Sequence, residues 1–375
     1  MTDFPHSEYR QRVTKAQDRM AECALDALFL CTEAELRYFT GFRTLFWQSP
    51  TRPWFLVIPK TGDPIAVIPS IGADLMHRTW IRDIRCWASP APDDEGVSLL
   101  LDALTGCARI GVPMGQESSL RMPLGDFEKL RRGLNAEIVD ATPLIKSLRM
   151  IKSEAEVAKI KDICQIGSAA FARAGALFRP GQPLNEAFRA FKIALLEEGA
   201  EDVPYLVGGA GPGGYGDVIS PADHTPLCEG DILMLDTGAT LDGYFCDFDR
   251  NFAIGRTDET AGAAYRNLWA ATEAGLLAAR PGVSCANLFE AMAAELPEAG
   301  SAVGRFGHGL GMQLTEWPSI AANDPTVLKP GMVMTLEPSF EFAPGKMMVH
   351  EENILITEGA PVLLTSRAAP ELPVI

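Results

Sequence analysis

Long apolar runs are missing from this 375-residue chain, which has no stretch of 18 or more apolar residues that could span a bilayer. Its first residues, MTDFPHSEYRQR, lack an apolar signal core, and the two absences together predict a cytoplasmic protein. Basic excess is missing as well. The formal net charge is −16, which excludes nucleic acid and an anionic membrane as expected partners, because both reward a basic face. Eight cysteines are present without a CxxC pair or a dense framework, so reduced, packed thiols are expected instead of disulfides or zinc–thiolate sites. Histidine is scarce: His6, His77, His224, His308 and His350 are the whole supply. Low-complexity segments and long blocks of like charge are also lacking, and a chain that is 47% hydrophobic and 22% charged is expected to fold compactly.

The length exceeds what one ordinary core accommodates, so two domains are expected. In the first part, Tyr9 to Cys23 reads as an amphipathic helix, while ALFL, WFLVIP, PIAVIP, RIGVPM and AEIVDA read as short strands bounded by Gly, Pro and Asp. This is an α/β pattern. A boundary falls between Lys146 and Ser153, giving domains 1–148 and 149–375, and Ser153 with Glu156 forms a capping box for a long helix.

The second part contains an internal repeat. AGALFRPGQPLNEAF from Ala174 is echoed by AGLLAARPGVSCANLF from Ala274, and EGDILMLD is echoed by PGMVMTLE. Gly230 precedes Asp236 by six residues, as Gly331 precedes Glu337. Each copy delivers a carboxylate at the same place in its strand and a second from the return strand: Asp247 in the first, Glu351 or Glu352 in the second. Four acids converging in a low-dielectric interior repel one another, and divalent cations resolve the repulsion. Carboxylates with one imidazole suit Mn²⁺, Co²⁺, Fe²⁺ or Zn²⁺. His308, flanked by glycines in RFGHGLGM and lying between the two acid pairs, is the candidate imidazole. Strand alternation turns Cys246 away from Asp247, so it reads as a packing residue.

Four motifs taken in order, DTGATLDGYFCDFDR, GHGLGMQLTEWP, GMVMTLEP and HEENILIT, resemble the pita-bread metallohydrolases: prolidase, aminopeptidase P, methionine aminopeptidase and the metal-free creatinase. The resemblance implies an α/β (α+β) fold with a creatinase-like N-terminal domain and a C-terminal pita-bread domain of pseudo-twofold symmetry. It also implies two divalent metal ions held by Asp236, Asp247, His308, Glu337 and Glu351, with Asp247 and Glu351 bridging. Glu337 would then move the proton while a metal-activated water attacks an amide or peptide C–N bond. A homodimer acting on a dipeptide or small molecule is the implied assembly and substrate class.

Two positions depart from the peptidase pattern, which usually has histidines where this chain has Ile219 and Thr315; His224 and His350 are the imidazoles left to compensate. Asp249 and Asn251 stand where threonines are common in the family, and alternation puts both on the Asp247 face, so Asp249 is expected to be a polar wall of the substrate pocket, the alternatives being an extra ligand, a substrate contact or a partner of Arg250 or another surface cation. The segment FRTLFWQSPTRPWF offers Phe46, Trp47 and Arg52 as walls of a substrate pocket, completed in such dimers by the neighbouring subunit. Besides a Xaa-Pro peptidase, the departures admit a small-molecule enzyme similar to creatinase, ectoine hydrolase or the lyase of dimethylsulfoniopropionate. A third reading is an inactive binding module on the same fold.

Overall fold

The computed structural model describes residues 4–49, 52–297 and 304–375, which form two compact units, Met1–Arg149 and Met150–Ile375. In the first, strands β1 (Ala27–Leu30), β2 (Phe55–Pro59), β3 (Ile65–Pro69), β4 (Asp83–Trp87), β5 (Arg109–Val112) and β6 (Glu137–Asp140) form one mixed sheet in the order β4-β3-β2-β1-β5-β6. The apolar runs ALFL, FLVIP and IAVIP occupy its buried middle. Sequence reading misses β4 because DIRCW is partly exposed and lacks an apolar run; it is the edge strand, paired in parallel with β3. The first helix runs from His6 to Glu22 and buries Tyr9, Val13, Ala16 and Met20, a helical stripe that covers one face.

The second unit opens with the expected capping box. Ser153 Oγ accepts from the Glu156 N–H at 3.3 Å and Glu156 Oε2 accepts from the Ser153 N–H at 2.9 Å, starting the helix Glu154–Ala172. Its strands are β7 (Asp202–Pro212), β8 (Asp231–Leu241), β9 (Tyr244–Phe245), β10 (Phe248–Ala253), β11 (Gly307–Gly309), β12 (Glu316–Ser319), β13 (Val333–Leu336), β14 (Ser339–Ala343), β15 (Lys346–Val349), β16 (Glu352–Leu355) and β17 (Val362–Leu363). One sheet has the order β10-β8-β7, another β12-β11-β13-β16-β17, and β14 pairs with β15.

The repeat read from the sequence is written into the backbone hydrogen bonds. Gly181 N–H donates to Leu227 O at 2.7 Å and Gly282 N–H to Leu328 O at 3.0 Å; Leu184 N–H donates to Thr225 O at 2.9 Å and Cys285 N–H to Thr326 O at 2.9 Å. The bridges Pro183 to Pro226 and Ser284 to Val327 repeat in the same way. Asp236 and Glu337 therefore take equivalent places. The return strands give a different result from the sequence pairing: β10 sets Asp249 opposite Asp236, and the β13–β16 register of Leu336 with Glu352, carried one residue further, sets Glu351 opposite Glu337. Asp249, and not Asp247, is the repeat counterpart of Glu351. Two turns of sequence look alike, but only the ladder fixes which side chains face each other.

Among the described residues no helix is long and apolar enough to cross a membrane. All eight cysteines are free thiols, and Cys246 is buried with its thiol pushed up to about 12 by burial, an inert packing residue.

Candidate metal centre

Asp236, in the middle of β8, Asp247, just before β10, and Glu351, just before β16, each bring one carboxylate oxygen to within 4.8 Å of the other two. Asp247 and Glu351 are 4% and 5% exposed, so the cluster's inner side is closed to water. His308, at the centre of β11, places Nε2 3.2 Å from Asp247 Oδ2 and 3.6 Å from Glu337 Oε2. The five residues named from the sequence thus come together, with Glu337 and Asp236 on the partly exposed side.

The glycines around His308 have a local reason. A Cβ on Gly309 would lie 2.1 Å from the Trp317 carbonyl oxygen, and Gly307 takes a positive φ of 145° with Thr335 O crowding the same side, so only glycine lets β12 and β13 close on this strand. His308 Nδ1 donates to Gly309 O at 2.8 Å, which puts the proton on Nδ1 and leaves the Nε2 lone pair facing the acids.

The electrostatics follow from burial. Burial raises the Asp236 carboxyl well above the usual range, and repulsion from Asp247, Asp249 and Glu337 raises it further. Glu351 is raised in the same way by burial and by Asp236 and Asp249. Burial also lifts Asp247 and Glu337, with His308 opposing in both cases. Burial depresses His308, yet Glu337 and Asp247 outweigh it and the pKa rises. Asp236 Oδ1 and Glu351 Oε2 are buried without a hydrogen-bond partner. Buried oxygens of this kind, beside an imidazole lone pair held by its other nitrogen, fit a divalent cation.

The remaining expectations divide. Glu352 is the structural acid of the HEEN pair: Arg250 Nη2 donates to its Oε2 at 3.0 Å, and Arg367 Nη1 and the Ala368 N–H donate to its Oε1 at 3.3 and 2.8 Å. Arg250 does not pair with the Asp249 carboxylate; its Nη1 donates to the Asp249 backbone carbonyl at 2.7 Å and to Glu351 O at 2.8 Å. Thr315 lies beside the cluster, its hydroxyl 3.5 Å from Arg305 Nη2, while Arg305 Nε is 3.5 Å from Glu337 Oε1. Ile219 is 73% exposed, and His224 is exposed too. His350 is buried and held neutral, its pKa lowered to about 3 by burial, with Nδ1 2.9 Å from Thr272 Oγ1. Trp47 is buried in the N-terminal unit under the Arg121 guanidinium, 4.9 Å from its ring centre, and lines a cleft of about 360 Å³ with Leu120 and Met122. Phe46 packs edge-on against Trp54, and Arg52 Nη1 donates to Ser89 Oγ at 3.1 Å.

Three site residues escape the sequence reading. Tyr205 on β7 neighbours the Asp236 carboxyl, Arg305 lies three residues before His308, and Asn353 holds the backbone of Asp247. Asn353 shares the alternation of Glu351, which was the available signal.

Comparison with known proteins agrees with this geometry. The model of the Creatinase/Prolidase N-terminal domain matches residues 12–151. The chain is 28% identical to the probable dipeptidase PepE of Mycobacterium tuberculosis over 99% of this chain and 98% of that protein. It is 29% identical to a Xaa-Pro dipeptidase of Pyrococcus horikoshii over 95% and 97%. The crystal structure of dipeptidase PepE from Mycobacterium ulcerans superposes with a TM-score of 0.87 at 28% identity, covering 99% of both chains. With the model of Metallopeptidase family M24 matching residues 158–358, the whole of the acid and histidine cluster included, the chain belongs to that family and is a metal-dependent hydrolase of peptide-type C–N bonds.

Proposed function

We propose that the protein is a dipeptidase of the Xaa-Pro dipeptidase type, with two divalent transition-metal ions, Mn²⁺, Co²⁺, Fe²⁺ or Zn²⁺, held by Asp236, Asp247, His308, Glu337 and Glu351. The observation that carries this reading is the convergence of the Asp236, Asp247 and Glu351 oxygens within 4.8 Å, in a chain of this family. The names of its relatives, a probable dipeptidase and a Xaa-Pro dipeptidase, support the substrate class.

Ions bound there supply Lewis acidity to a peptide carbonyl and make water acidic near neutral pH. The side chains do the rest. Asp247 and Glu351, both closed to solvent, would hold the ions from the inner side and would be the carboxylates shared between them. Glu337, on the partly exposed side, takes the proton of the attacking water on a carboxylate oxygen and returns it to the leaving amine. Arg305, 3.5 Å from Glu337 Oε1, holds that carboxylate in place. Burial keeps the His350 imidazole neutral, and it ferries no proton in this scheme.

A second reading has its own support: the exposed Ile219 and the Thr315 hydroxyl stand where peptidases of this kind have imidazoles. A threonine cannot shuttle a proton near neutral pH, which favours a small-molecule C–N or related bond over a prolyl peptide. We further place the protein in the cytoplasm, where its free thiols stay reduced, as a homodimer with no nucleic-acid partner. The test is a substrate screen on metal-reconstituted protein, with Xaa-Pro and other dipeptides against creatine, ectoine and dimethylsulfoniopropionate. Amine release from a dipeptide supports the first reading; turnover of a solute alone supports the second.

A further inference from the structure

Asp249 is 1% exposed, and no arginine, lysine or histidine among the described residues forms an ion pair with its carboxylate. Asn251 Nδ2 donates to its Oδ2 at 2.6 Å and to Val349 O at 2.7 Å, while Asn251 Oδ1 accepts from the Tyr215 hydroxyl at 2.8 Å. That relay fixes the side chain. Its other oxygen, Oδ1, is buried with no donor at all. The contrast with Glu352, also buried, is direct: there the carboxylate takes donors from Arg250, Thr365, Arg367 and the Ala368 N–H, as a structural acid should.

Position adds a second, independent argument. Asp249 is directly opposite Asp236 across the β8–β10 ladder, and side chains so placed have Cβ atoms about 5 Å apart on one face. It is also the repeat counterpart of Glu351. Asp236, Asp249 and Glu351 each keep one buried oxygen without a hydrogen-bond partner, and Asp249 lies near enough to repel both of the others, beside the Asp236, Asp247 and Glu351 oxygens that converge within 4.8 Å.

We propose that Asp249 is a sixth protein group of the metal centre, a carboxylate that would serve the ion held by Asp236, which would make the centre richer in hard oxygen donors than the five-residue set and favour Mn²⁺ over Zn²⁺. Hard carboxylate oxygens suit manganese, whereas zinc is satisfied by fewer ligands and by imidazole. The proposal rests on the metal reading given above.

The experiment compares chelator-stripped wild type and Asp249→Asn, each titrated with Mn²⁺ and with Zn²⁺ by calorimetry, with thermal melts of the stripped proteins alongside. The asparagine keeps an acceptor for Asn251 and removes the charge. The expected result is a Mn²⁺ affinity lower by roughly tenfold or more, a smaller loss for Zn²⁺, and a stripped variant that melts no lower than stripped wild type. Unchanged Mn²⁺ affinity in the variant, with wild type binding the ion, overturns this proposal alone. A stripped variant that melts lower while its Mn²⁺ binding is intact also overturns it, because Asp249 is then only a structural hydrogen-bond acceptor. Absence of binding by wild type overturns the metal reading itself, and this proposal with it.

Discussion

Asn353 grips the backbone of Asp247 from both sides: the Asp247 N–H donates to Asn353 Oδ1 at 3.0 Å, and Asn353 Nδ2 donates to the Asp247 carbonyl. The two residues lie 106 positions apart, and Thr335 Oγ1 adds a 3.2 Å bond to the same carbonyl. One amide thus aims an acid from the first half of the repeat using a residue from the second. Asn353→Ala leaves a buried N–H without its acceptor and is expected to cost about 1–3 kcal/mol in urea unfolding, with weaker metal retention after dialysis. A variant with unaltered stability and metal content would remove the clamp from the account.

Metal removal has a defined signature. Stripped of ions, Asp236 and Glu351 repel each other in a closed pocket. A chelator should lower the melting temperature, and an excess of a divalent ion should restore it, by about 3 kcal/mol when free ion is a hundredfold above its Kd. Asp236→Asn, which deletes one of the repelling charges, is expected to melt no lower than stripped wild type but to show little recovery with metal. Calorimetric scans of the four samples check this.

Lys152 and Glu316 form an ion pair of 3.1 Å with both side chains only 2% exposed. Glu316 begins β12, one residue after Thr315, so this pair anchors the loop that carries the Thr315 hydroxyl. Lys152→Met removes the ammonium from a buried carboxylate and should cost roughly 3–5 kcal/mol, whereas the double variant with Glu316→Gln should recover a large part of it. A double-mutant cycle in urea reads the coupling directly.

Asp26 supplies a pH prediction remote from the metal centre. Lys60 Nζ at 2.8 Å and the Ala108 and Arg109 N–H groups at 2.8 and 3.1 Å hold its carboxylate down, from 3.8 to about 2. A depressed acid stabilises the fold above its unfolded pKa, and that stabilisation is lost as pH falls through the folded one. The stability difference between wild type and Asp26→Asn should therefore be constant above about pH 5 and shrink between pH 3.8 and about 2. Unfolding curves at several pH values test it; a difference that does not change across that window would contradict the assignment.

The N-terminal strands were legible because a strand buried in the middle of a sheet must be apolar along its length, as FLVIP and IAVIP are. The edge strand DIRCW, under no such demand, was not. Ser153 and Glu156 announced their helix because a capping box is a local interaction, complete within four residues. The candidate acids Asp236 and Glu337 were legible for a related reason: acids inside apolar strands are costly, and their recurrence at equivalent places in a repeat marks them.

Sequence by itself therefore determined which side chains are present to meet a cation, since composition, local burial and repetition are properties of short segments. Tertiary structure alone decided that Glu352 is answered by Arg250 and Arg367 while Glu351 is left open, and that Asp249 rather than Asp247 mirrors Glu351. It also decided that Ile219 faces solvent. The physical reason is that a carboxylate's partners come from strands about a hundred residues away, and which of two neighbouring acids meets them depends on ladder register, a quantity that no local pattern encodes.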